Sequence, residues 1–127
     1  MNKPRALIIE DDEDLAIIFA EALQMAEFET EIAKDGQTAL DKLAATQPIV
    51  IVLDLHLPYV SGEEILRRIR DDERLANVRI MIATADPLIA ENLRNDVDLV
   101  LLKPISFNQI RDLAARLRPP DITNLEP

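Results

Sequence analysis

Apolar residues along the chain follow two alternating patterns. Four short continuous runs, ALII (6–9), IVIVL (49–53), IMIA (80–83) and LVLL (99–102), are bounded by polar turns. Such runs suit strands covered on both faces, where neither side of the pleat meets water. A fifth segment, FETEIA (28–33), alternates instead, with Phe28, Thr30 and Ile32 on one side and Glu29 and Glu31 on the other. One wet face predicts an edge strand.

Between these segments the apolar period becomes that of a helix. Leu15, Ile18, Phe19, Ala22 and Leu23 recur at i, i+3, i+4, i+7 and i+8 and form one stripe. Leu40, Leu43 and Ala44 repeat it briefly after KDG. Gly62, Ile65, Leu66 and Ile69 do so after LPYVSG, and Phe107, Ile110, Ala114 and Leu117 after KPIS. Ser61 and Ser106 are the expected N-caps, since a hydroxyl oxygen accepts from an orphan N–H of the first turn. Leu88, Ile89 and Leu93 predict a shorter helix behind Asp86-Pro87, with proline in its first turn. Met25 and Met81 read as core filler, and Glu63, Glu64, Asp71, Asp72 and Glu73 as solvated helix-face acids.

Alternating strands and helices predict an α/β domain of (βα)5 type, a parallel sheet with helices on both faces joined by right-handed crossovers. At 127 residues the chain fits one domain with its own core. The pattern runs to Arg118, after which PPDITNLEP is Pro-rich and unpatterned. Residues 1–118 are therefore read as the domain and 119–127 as a tail or the start of a linker.

Composition narrows the function classes. Cysteine is absent, which excludes a disulfide framework and a thiolate metal site. No apolar stretch has the length of a signal peptide or a membrane span, so the expectation is a cytoplasmic protein without a membrane role. The net charge is −10, from 24 acids against 14 bases, and argues against direct nucleic-acid binding. The basic clusters RRIRDDER (67–74) and RDLAARLR (111–118) lie in helical patterns and read as solvated faces.

In an open α/β sheet, ligands bind beyond the carboxyl ends of the strands. The polar residues that follow the apolar runs are Glu10 and Asp11, then Asp54, Thr84 and Lys103. Clustered carboxylates without histidine or cysteine favour a hard cation such as Mg²⁺. A carboxylate nucleophile, a metal, a lysine and a hydroxyl donor are the parts needed to transfer a phosphoryl group to aspartate. Asp54 is the candidate nucleophile because it ends the most apolar run.

The pieces LIIEDDE, VLDLHLPYVSG, IATA and LLKP, in this order and on these elements, resemble the receiver domain of two-component response regulators, over residues 5 to about 118. The resemblance implies a flavodoxin-like, doubly wound sheet of order 2-1-3-4-5. It implies that Asp54 receives a phosphoryl group from a histidine kinase or a phosphotransfer protein, which makes the domain a phosphorylation-dependent switch rather than an enzyme. Asp11, Asp54 and the backbone carbonyl of His56 would ligate Mg²⁺, and Glu10 would act through water. Thr84 would bond a phosphoryl oxygen, Lys103 would pair with the phosphate, and the Lys103–Pro104 peptide would be cis.

Several positions depart from that pattern. Val100 stands three residues before the lysine, where receivers usually carry an aromatic residue. The segment from Thr84 to Lys103 is short, and RNDVDLV lacks the customary glycine. These changes predict an intact acidic site with a remodelled output face. The side chain of His56, the only histidine, is expected to line the pocket mouth. Homodimerisation through the last helices is compatible with the sequence but not specified by it, as is the identity of the downstream target.

Two rival readings stand beside the switch. Haloacid-dehalogenase-like phosphatases also use an aspartyl nucleophile but need a second aspartate two residues on, where this chain has His56. A pseudo-receiver, binding partners independently of phosphorylation, usually lacks part of the acid pair, the phosphoacceptor or the lysine. All of them are present here. Within LIIEDDED, Glu10 and Asp11 are assigned to the metal, Asp12 and Asp14 to the start of the first helix, and Glu13 to solvent.

Overall fold

The computed structural model describes residues 3–119. Strands and helices alternate as β1 (Arg5–Ile9), α1 (Glu13–Met25), β2 (Glu29–Ala33), α2 (Gly36–Ala45), β3 (Val50–Asp54), α3 (Gly62–Asp71), β4 (Arg79–Thr84), α4 (Pro87–Leu93), β5 (Leu99–Leu102) and α5 (Phe107–Leu117). A single 3-10 turn, Glu73–Leu75, follows α3. All strand pairs are parallel, in the order β2-β1-β3-β4-β5, so the fold is the doubly wound, flavodoxin-like one expected. The proposed tail lies, from residue 120 on, outside the described residues.

The continuous apolar runs are explained by helices on both faces. Ala6, Ile8, Val50, Val52, Met81, Ala83 and Leu101 turn toward α1 and α5. Leu7, Ile9, Ile51, Leu53, Ile80 and Ile82 turn the other way, toward α2, α3 and α4. β2 is an edge strand, with Glu29 exposed and Thr30, Glu31 and Ile32 half-buried, beside a β1 that is buried from Ala6 to Ile9.

Three helix starts follow the expected caps, at Ser61, Ser106 and Asp12, and Asp35 and Asp86 cap two more. Ser61, Ser106 and Asp86 accept from the first-turn N–H groups of Glu64, Gln109 and Leu88. Asp12 caps α1 through the Leu15 N–H at 3.1 Å, and Asp35 caps α2 through the Thr38 N–H at 2.7 Å.

Four side chains placed in the core by periodicity are exposed instead: Ile18, Met25, Leu88 and Ala44. Small residues take their places. Ala16 and Ala20 are buried on α1, Ala39 on α2 and Ala90 on α4. A helix lies closer to the sheet where alanine faces it, which rotates the larger neighbours outward. Some acids expected to be merely solvated have partners. Glu13 forms an ion pair with Lys34, Glu64 with Arg67 and Arg68, and Asp72 with Arg74.

α4 has 7 residues against 10 to 13 for the other α-helices. The side of β5 that carries Val100 and Leu102 is correspondingly thinly covered. Val100 is half-buried and Leu102 is 48% exposed.

Candidate active site

Parallel register brings the strand ends level. Ile9 is paired with Leu53, Asp54 with Ala83 and Thr84 with Leu102, so the residues that end or follow these strands share one rim. Glu10, Asp11 and Asp54 each present a carboxylate oxygen, and these oxygens lie within 4.8 Å of one another. Glu10 and Asp54 are buried, and Asp11 is exposed. The Lys103 ammonium sits between the buried pair, 3.4 Å from Asp54 Oδ1 and 3.5 Å from Glu10 Oε1. The Lys103–Pro104 peptide is cis.

Backbone donors orient the acids. The His56 N–H donates to Asp54 Oδ1 at 3.0 Å, and the Asp12 N–H donates to Glu10 Oε2 at 3.3 Å. Gly62 makes the loop after β3 possible. A Cβ there would lie 2.5 Å from Leu55 Cα and 2.8 Å from the Asp54 carbonyl oxygen, so any side chain would push the loop off the strand end.

Thr84 is fully buried, and its Oγ1 accepts from the Asp86 N–H at 3.1 Å. A hydroxyl that accepts in this way still has its own proton to donate. The side chain therefore serves the turn into α4 without being used up by it. The His56 side chain is exposed.

With all three carboxyls ionised, the single ammonium would leave the cluster two negative charges in excess. The Glu10 carboxyl responds by rising from its ordinary 4.5 to about 8. Burial is the main cause, followed by the adjacent Asp54 side chain, and Lys103 and the Asp12 N–H offset only part of it. Among the described residues no buried side-chain nitrogen or oxygen lacks a hydrogen-bond partner, so the tension here is one of charge. An all-oxygen donor set with excess negative charge fits a hard divalent cation such as Mg²⁺.

Sequence reasoning did not single out the two backbone donors at Asp12 and Asp86, because main-chain hydrogen bonds leave no residue signature.

Comparison with known proteins agrees with this fold. The family model of the response regulator receiver domain matches residues 6–115. The sensor histidine kinase TmoS of Ectopseudomonas mendocina is 29% identical over 119 residues, which cover 91% of this chain and 12% of that protein. The DNA-binding dual master transcriptional regulator RpaA of Synechocystis is 33% identical over 118 residues, 91% of this chain and 48% of that protein. This chain thus spans half or less of these relatives. The chemotaxis response regulator CheY4 of Vibrio cholerae superposes with a TM-score of 0.83 at 23% identity, covering 91% of this chain and 99% of that one, and has the same fold.

Proposed function

Because this chain belongs to the response regulator receiver domain family, we propose that Asp54 is its phosphoacceptor and that the domain is a Mg²⁺-dependent phosphorylation switch. The observation that carries the reading is the buried, lysine-paired Asp54 beside Glu10 and Asp11 on one rim. An Asp54 carboxylate oxygen attacks the phosphorus of a phosphohistidine on a histidine kinase or phosphotransfer protein. The P–N bond breaks, its electron pair leaves with the imidazole nitrogen, which takes up a proton, and an acyl phosphate forms on Asp54. Lys103 faces the negative phosphoryl oxygens, and the Thr84 hydroxyl donates to one of them. Asp11, Asp54 and the His56 carbonyl would hold Mg²⁺, with Glu10 acting through water. Once bound, the ion neutralises charge on the acids and on the incoming phosphoryl group.

The downstream signal passes through a remodelled α4-β5-α5 face to a target or effector domain. The short α4 and the thin cover over Val100 and Leu102 support this. The domain comprises residues 1–118 and works in the cytoplasm.

The test is incubation with Mg²⁺ and phosphoramidate, followed by intact mass. A labile phosphoryl adduct that is missing from Asp54→Asn supports the switch. No adduct at any donor concentration indicates a phosphorylation-independent binding module, and steady hydrolysis of phosphate esters indicates a phosphatase.

A further inference from the structure

Among the described residues, two other than glycine have positive φ, Glu27 at 70° and Tyr59 at 68°. Glu27 has a local reason. It follows the C-cap of α1, the Phe28 N–H returns to the Leu23 carbonyl at 2.9 Å, and its own N–H returns to Gln24 at 2.9 Å. This is a Schellman ending, in which a left-handed residue satisfies the last carbonyls of a helix and the flanking apolar pair packs together. Leu23 and Phe28 are both buried in one cluster.

Tyr59 has no such reason. The Val60 N–H donates to the Pro58 carbonyl at 2.8 Å. Together with a φ of 68°, this bond makes Tyr59 the centre of the rarer, strained form of γ-turn. Positive φ is unusual for a bulky residue, and its cost is normally offset by packing. Here no packing of the side chain offsets it, because Tyr59 is 100% exposed.

The turn is nevertheless held firmly. The Gly62 N–H reaches the Leu55 carbonyl at 3.4 Å and draws the ends of the loop together. The chain has only two glycines, and both make room for this loop. A Cβ at Gly62 would strike Leu55, and one at Gly36 would come within 2.6 Å of Val60 Cβ. The loop also carries the His56 N–H that binds Asp54 Oδ1. One short, tightly seated segment therefore orients the phosphoacceptor and holds an aromatic ring clear of the molecule.

We propose that Tyr59 is a docking and specificity residue for the protein that delivers the phosphoryl group, packing against it beside the phosphohistidine. The proposal rests on the phosphoacceptor reading of Asp54. A donor protein must approach along the rim that Asp54 and the Tyr59 loop share, whereas a small donor needs only the pocket. The geometry also states the chemistry of the donor surface. It presents an apolar recess for the ring, next to basic groups that face the exposed Asp12 and Asp14.

The experiment compares wild type, Tyr59→Ala and Tyr59→Phe, with Mg²⁺, against two donors. One is phosphoramidate, a P–N donor without a protein surface, and the other is a panel of histidine-phosphorylated phosphotransfer domains. Phosphoramidate should load all three proteins at the same rate. The domain that loads wild type fastest should load Tyr59→Ala at least about tenfold more slowly, with Tyr59→Phe close to wild type. Equal loading of Tyr59→Ala by that domain overturns the docking role and leaves the phosphoacceptor reading intact. So does a panel in which no domain loads wild type while phosphoramidate does. Slower loading of Tyr59→Ala by phosphoramidate also overturns it, because the residue would then be positioning the pocket. A wild-type chain loaded by neither donor overturns the reading of Asp54, and this proposal with it.

Discussion

At the amino end of the sheet, Arg79 pairs with Asp98 at 3.1 Å, and the same Asp98 accepts the Ile80 N–H at 2.7 Å. Arg74 pairs with Asp72, and its hydrogen bonds hold that carboxyl below its ordinary value. The one left-handed residue at this end, Glu27, closes a helix. At the carboxyl end, three acids face a single lysine, Glu10 rises to about 8, and left-handed Tyr59 lies fully exposed. Local rules are satisfied where the sheet begins and broken where it ends. Proteins carry such violations at functional sites and stabilise themselves elsewhere. The difference separates a stabilising end from a working end, and that separation can be tested.

The largest effect is all-or-none. Asp54→Asn and Asp11→Ala should abolish the Mg²⁺-dependent phosphoryl adduct read by intact mass, whereas Asp98→Ala should form it as wild type does. An Asp98→Ala chain unable to take phosphate would erase the contrast between the two ends.

Stability should show the reverse order. Asp98→Ala strands the Ile80 N–H and frees Arg79. Loss of about 1–3 kcal/mol is expected in urea denaturation. A variant as stable as wild type would show that the amino-end network is ornamental.

The two ends should also answer pH with opposite sign. In metal-free protein below pH 4.5, Glu10 is protonated whether folded or not. As pH rises toward about 8, the unfolded chain releases the proton while the folded chain keeps it, so stability falls across that window. Glu10→Gln should flatten the decline. Asp72 has a lowered value, so its contribution is present above its ordinary 3.8 and is lost as pH falls through the folded value. Urea midpoints measured along a pH series without metal separate the two.

Relief of backbone strain is a smaller effect. Glu27→Gly and Tyr59→Gly should each raise stability by no more than about 1 kcal/mol, because glycine tolerates positive φ but loses more entropy on folding. Stability alone would make the two positions look alike. Only Tyr59→Gly should slow loading by a phosphorylated phosphotransfer domain.

The smallest effect is at Glu13. Its ion pair with Lys34 is exposed on both sides, and exposed pairs contribute little. Glu13→Ala should leave both adduct formation and the urea midpoint unchanged.

Much of the fold was legible because burial on both faces writes continuous aliphatic runs, and the wet edge of β2 writes an alternating one. The stripes were less legible. Periodicity favours large apolar residues, and it pointed to Ile18, Ala44 and Leu88 where Ala16, Ala39 and Ala90 are buried. Which residues face the sheet depends on how closely each helix can approach it, and small side chains allow the closest approach.

The five-unit alternation and the set Glu10, Asp11, Asp54, Thr84 and Lys103 could be read from the order of residues, because residues that end or follow parallel strands must share one rim. How those groups act on one another depends on packing between distant parts of the chain. Lys103 lies between Glu10 and Asp54 across 93 and 49 positions of chain, and the height of the Glu10 carboxyl depends on that packing. The same holds for Tyr59, whose neighbours in sequence give no sign that its backbone is strained. Two glycines let that loop seat against β3 and α2, a contact that exists only once the sheet has formed.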